Sequence, residues 1–112
     1  MGMTINANQI WNDPNTVQLA QALVDIDNKT DMQNFLRDVM TEKEIIEISA
    51  RLEAARMLKA GKTYAEIIER TKLSSRTVAR ISDWMQNGAG GYKQALARMD
   101  ELHGHIPPVR AV

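Results

Sequence analysis

The sequence has no cysteine, two histidines and no net charge. Without cysteine there is no disulfide framework, zinc ribbon or cysteine nucleophile, a composition that fits a cytosolic protein. The two histidines, His103 and His105, lie together near the end of the sequence. No Ser, His and acid grouping emerges around them, so no catalytic site is expected. An H-x-H pair with no third ligand nearby is a poor metal site, and none is predicted. No window approaches the ~18 uninterrupted apolar residues of a membrane span. Residues Met1 to Ile10 are polar and lack the basic head and apolar stretch of a signal peptide. A net charge of zero argues against indiscriminate binding to nucleic acid or membrane, but says nothing about how the charge is distributed.

The charge is in fact polarised. Residues 1–58 hold five Lys/Arg against nine Asp/Glu, whereas residues 59–86 hold six, Lys59, Lys62, Arg70, Lys72, Arg76 and Arg80, against Glu66, Glu69 and Asp83. A length of 112 residues suits one domain. Its expected parts are a loose arm at 1–11, scaffold helices over 12–60, a helical pair over 61–86, a last helix at 92–103 and a tail at 104–112.

Helical signals recur along the chain, and no strand alternation interrupts them. Asn12-Asp13-Pro14 reads as a helix start, because a short polar side chain caps the end and proline is tolerated in the first turn. The first helix should reach about Ile26, and its broad apolar surface needs partners on two sides. Thr30 or Asp31 is expected to cap a second helix with Phe35, Leu36, Val39 and Met40 inward. Thr41-x-x-Glu44 has the spacing of a capping box and opens a third helix, which Gly61 ends as a left-handed cap. Ile45, Ile48, Leu52 and Ala55 form its expected inner stripe. Gly88-Ala89-Gly90-Gly91 is a breaker cluster, not a phosphate loop, since the required strand and Lys-Ser/Thr are absent. The fold class is therefore all-α, with about six helices.

Residues 63–81, TYAEIIERTKLSSRTVARI, carry the functional signal. A capped helix of about eight residues meets a three-residue turn, and a second capped helix follows, which is the helix-turn-helix pattern. Ile67, Ile68, Leu73, Val78 and Ile81 would lock the pair together. Ser75, Arg76, Ala79 and Arg80 are left outward near the start of the second helix, where an arginine can reach guanine or phosphate and short side chains allow close approach. Lys62, Thr63, Arg70 and Lys72 flank them where phosphates would pass. The pattern departs from type at Lys72, which stands where glycine is common, and at Thr71, which occupies a usually apolar place. The same helical pair could instead dock on a protein partner, or act in an antitoxin or accessory DNA-organising protein with little sequence choice.

The span from about Phe35 to Met85 resembles the Trp repressor superfamily, and in particular its YerC/YecD-like branch. The residues that carry the resemblance are Thr41-Glu42-Lys43-Glu44 leading to Arg51, then Lys59-Ala60-Gly61, Thr63 through Glu66, and Ser74 through Arg80. Trp84 followed by Gly88-Ala89-Gly90-Gly91-Tyr92 is similar to the branch ending. The resemblance implies an intertwined all-helical homodimer that presents two reading heads to double-stranded DNA, one helical turn apart. It implies a transcriptional regulator, a repressor, in the bacterial cytoplasm at the nucleoid.

In that family a corepressor indole lies between two arginines, and the matching positions are Arg51 and Arg80, with Thr41 near the ligand's polar end. The resemblance thus implies a site for L-tryptophan or a related small effector. The chain departs from the pattern here, with Ile81 in place of a small residue and Trp84 close by. Either side chain would partly fill the pocket, so that no cofactor is required for DNA binding. The residues themselves leave another arrangement open, in which Arg51 pairs with Glu47 or Glu44 on its own helix and Arg80 touches phosphate.

Overall fold

The computed structural model describes residues 9–104, and every regular element among them is helical. A short 3-10 turn, Gln9–Asn12, precedes six α-helices: α1 (Pro14–Asp25), α2 (Lys29–Val39), α3 (Glu42–Lys59), α4 (Tyr64–Thr71), α5 (Ser75–Asn87) and α6 (Gly91–His103). The all-α expectation and the order of its helices are met. Residues 1–8 of the expected arm and 105–112 of the expected tail, His105 included, lie outside the described residues. The end of the expected arm is not loose chain, because Gln9–Asn12 is wound and tied down. The Thr16 hydroxyl donates to the carbonyls of Ile10 at 2.6 Å and Asp13 at 2.8 Å.

The chain forms two compact units, one up to Ile45 and one from Ile46 onward. The division falls inside α3, which is one continuous helix.

In the first unit, the helix ends are well made. The Asp13 carboxylate accepts the Asn15 N–H at 2.9 Å, with Pro14 in the first turn of α1. The cap of α2 is Asn28, whose side chain accepts the Asp31 N–H at 2.8 Å. The expected caps, Thr30 and Asp31, lie inside the helix, because asparagine two places earlier already satisfies the orphan donor. Arg37 closes the other end by donating to the Met40 carbonyl at 3.2 Å. No residue of α1 or α2 is buried. Val24 is 76% exposed and Val39, expected inward, is 54% exposed.

The second unit has a core. Ala54, Ala55 and Met57 from α3 meet Ile67 of α4, Val78 and Ile81 of α5 and Leu96 of α6, all 2% exposed or less. Leu52, Leu58, Ile68, Leu73, Met85, Tyr92 and Met99 pack around them. The buried face of α3 is therefore set by Ala54, Ala55 and Met57. Of the expected inner stripe, Leu52 and Ala55 join this core, whereas Ile48 is half exposed. Two consecutive alanines carry no bulk beyond Cβ, which lets neighbouring helices approach closely.

Glycine sets the turn after α3 and the end of α5 for different reasons. Gly61 takes φ +83°, and the N–H groups of Gly61 and Lys62 bond back to Leu58 and Met57, each at 3.0 Å, as expected of a left-handed cap. At Gly88 the constraint is space: a Cβ there would stand 2.5 Å from the Trp84 carbonyl oxygen, which also accepts the Gly88 N–H at 2.9 Å. Backbone cannot yield as a side-chain tip can. Gly88→Ala should therefore lower stability by about 1–3 kcal/mol, measured by urea unfolding, whereas Gly91→Ala, with nothing within 4 Å of the added carbon, should not.

Candidate nucleic-acid interface

The geometry of the helical pair begins with its caps. Thr63 and Glu66 form a reciprocal capping box: Thr63 Oγ1 accepts the Glu66 N–H at 3.2 Å, and the Glu66 carboxylate accepts the Thr63 N–H at 2.8 Å. The Thr63 N–H holds the Glu66 carboxyl below its usual pKa of 4.5. Thr41 and Glu44 make the same box at the start of α3, with the same effect on Glu44. Ser74 caps α5 by accepting the Thr77 N–H at 3.1 Å.

The turn between the helices explains both of its unusual residues. Thr71 is polar where an apolar residue is usual, yet its hydroxyl donates to the Ile67 carbonyl at 2.7 Å and accepts the Leu73 N–H at 3.3 Å. It thus satisfies two backbone groups at the turn. Lys72 adopts the left-handed conformation expected where glycine is common, with φ 62° and ψ 15°, and its N–H closes α4 on the Ile68 carbonyl at 2.8 Å.

With Val78 and Ile81 buried, α5 turns its opposite face outward. Ser75, Arg76, Ala79 and Arg80 are all exposed on it, as the spacing predicts. Arg76 and Arg80 are distinguished from the other arginines among the described residues. Arg37 bonds a carbonyl, and Arg51, Arg56, Arg70 and Arg98 pair with carboxylates, whereas these two make neither contact. The first turn of α5 also contains no acid, unlike those of α3 and α4. The positive end of its dipole is therefore not neutralised locally. Asp83 lies one turn further along the same exposed face, held by Asn87 Nδ2 at 2.9 Å, and confines the basic stretch to the first two turns.

The flanking residues are less uniform. Lys62 is half-buried and Thr63 is exposed, its hydroxyl engaged in the cap. Arg70 does not stand free as a flanking cation: its Nε lies 4.0 Å from Glu53 Oε2. Glu53 also grips Arg56 through both oxygens, at 2.9 and 2.8 Å, and this pairing raises the pKa of Arg56. Sequence reasoning missed Glu53 because its tie to Arg70 joins α3 to α4, beyond the reach of helical spacing.

The residues matched to an effector pocket are placed as follows. Thr41 belongs to the first unit and serves the α3 cap. In the second unit Arg51 faces Glu47 on its own helix at 3.8 Å, one of the alternatives that the sequence leaves open. Its Nε is buried without a hydrogen-bond partner among the described residues. The Tyr92 phenol has its pKa raised by burial, opposed by the charge of Arg51. Ile81 is wholly within the core, whereas Trp84 is 41% exposed. Among the described residues no cluster of His, Asp or Glu could hold a metal ion, and no helix is long and apolar enough to cross a membrane.

Comparison with known proteins bears on this geometry. The family model of the Trp repressor protein matches residues 15–100. This chain belongs to the Trp repressor family. That family consists of DNA-binding regulators and not of enzymes. A relative, the uncharacterized protein YerC of Bacillus subtilis, is 33% identical over 84 residues, which cover 75% of this chain and 81% of that protein. A TrpR-like protein of Eubacterium eligens superposes with a TM-score of 0.78 at 32% identity, over 82% of this chain and 95% of that one. A Trp repressor candidate from Staphylococcus aureus has the same score at 29% identity, over 86% of this chain and 96% of that one.

The capping boxes of this Trp repressor relative give a pH dependence of defined sign. A carboxyl whose folded pKa is depressed stabilises the fold above its unfolded pKa, and that contribution is lost as pH falls through the folded value. Glu66→Gln keeps the reciprocal hydrogen bond but not the charge. The variant should be less stable than the parent at neutral pH, and the gap should narrow as pH falls below 4.5, as read from urea midpoints.

Proposed function

We propose that the protein is a homodimeric transcriptional repressor that reads the major groove of DNA with the face of α5 bearing Ser75, Arg76, Ala79 and Arg80. The observation that carries this reading is the state of Arg76 and Arg80, unpaired among the described residues, at the start of a capped helix whose first turn holds no acid. Leaving two guanidinium groups without partners while other arginines are paired suits an external acceptor, either phosphate or a guanine edge. Lys62 and Lys72 flank this face as phosphate contacts, and Arg70 is held back by Glu53.

The first unit supports the dimer. Its helices bury no residue, while Val17, Leu19 and Val24 are about half exposed or more. Ile46 and Ile48 at the start of the second unit are also exposed. Apolar area of this kind gains roughly 25 cal/mol per Å² when covered, and a self-complementary two-fold contact covers it on both copies. Two such heads would read half-sites ~34–36 Å apart, so the operator is near-palindromic. Such a repressor works in the cytoplasm, at the nucleoid.

DNA binding in this reading needs no free L-tryptophan. Arg51 already has a carboxylate on its own helix, and Ile81 occupies interior volume where the family pattern has a small residue. Calorimetric titration should show no saturable heat with L-tryptophan, and a clear heat that disappears in Arg80→Ala would overturn this point. For the main reading, selection from a random duplex pool should yield a near-palindromic site, and Arg76→Ala should weaken binding to it by about 1–3 kcal/mol. Absence of salt-dependent binding to any duplex, with a protein partner retained in pull-down, would favour a protein-docking module instead.

A further inference from the structure

Lys72 is the one residue other than glycine with positive φ among the described residues. The chain meets the same demand with glycine at Gly61, Gly90 and Gly104. In the left-handed region the Cβ of an L-residue crowds the following carbonyl, a cost that glycine avoids. The structure shows no return on that cost within the fold. The Lys72 side chain is exposed and makes no ion pair or hydrogen bond among the described residues, and only its backbone N–H takes part in the cap. Any residue except proline would supply that N–H, and glycine would supply it without strain. What lysine adds is an unpaired ammonium at the turn that leads, two residues later, into the N-terminus of α5.

We infer that Lys72 is a DNA-backbone contact retained against the local stability of the turn, its ammonium neutralising one phosphate beside each reading head. The inference rests on the DNA-binding reading and makes the turn a point where fold stability and DNA affinity oppose each other. The intramolecular rival is attraction between the ammonium and the negative C-terminal end of α4. If that attraction sufficed, removal of the side chain would not stabilise the protein.

The test uses the full chain and the duplex selected with the parent protein, with Lys72→Gly, Lys72→Asn and Lys72→Arg compared. Glycine removes strain and charge together. Asparagine tolerates positive φ without adding glycine's freedom to the unfolded chain, and arginine keeps the charge. Lys72→Gly and Lys72→Asn should raise the urea midpoint and weaken binding about eightfold per head at 0.1 M salt. The slope of log affinity against log salt should become shallower by about 0.9 per head. Lys72→Arg should retain both the affinity and the slope. The inference is overturned if Lys72→Gly binds with the parent's affinity and slope, or if both uncharged variants are less stable than the parent. Failure of the parent itself to bind any duplex would instead remove the DNA-binding reading, and this inference with it.

Discussion

The contact on which the second unit depends is the burial of Ala54 and Ala55 against the apolar residues of α4, α5 and α6. Ile67, Val78, Ile81 and Leu96 share one closed cluster with them. A larger side chain at either alanine, both fully buried, would push the neighbouring helices outward, because close-packed protein interiors have little spare volume. That contact fixes the rotation of α5 about its own axis. Once Val78 and Ile81 are inside, helical geometry leaves Ser75, Arg76, Ala79 and Arg80 no face but the outer one.

Electrostatics follows from that packing. The chain is neutral as a whole, yet carboxylates are distributed so that most arginines are paired. Glu47 faces Arg51, and Glu53 serves both Arg56 and Arg70. Among the described residues, the two arginines left over, Arg76 and Arg80, stand on the outer face of α5, with Lys72 at the turn before it. An exposed pair such as Arg51–Glu47 contributes little to stability. The larger effect of the pairing is to decide which positive charges remain available to an outside partner.

The two units are built on different principles. The second is organised around buried side chains, and the first around helix caps and local hydrogen bonds, such as those of Asp13, Thr16 and Asn28. Helices of eleven or twelve residues are marginal on their own in water. Apolar side chains at Val17 and Val24 therefore mark a surface whose contribution to stability depends on being covered.

Much of this was legible from residue order alone, wherever the determining interaction spans one helical turn. The capping boxes at Thr41 and Thr63, the cap at Ser74, the left-handed Gly61 and Lys72, and the outer face of α5 all depend on spacings of a few residues, which the sequence states directly. Tertiary structure decided what depends on residues far apart in the chain. It set Arg70 beside Glu53, left Trp84 exposed, and turned α3 so that Ala54 and Met57 face inward. These outcomes depend on how one helix rotates and packs against another, and periodicity along a single helix does not encode that relation.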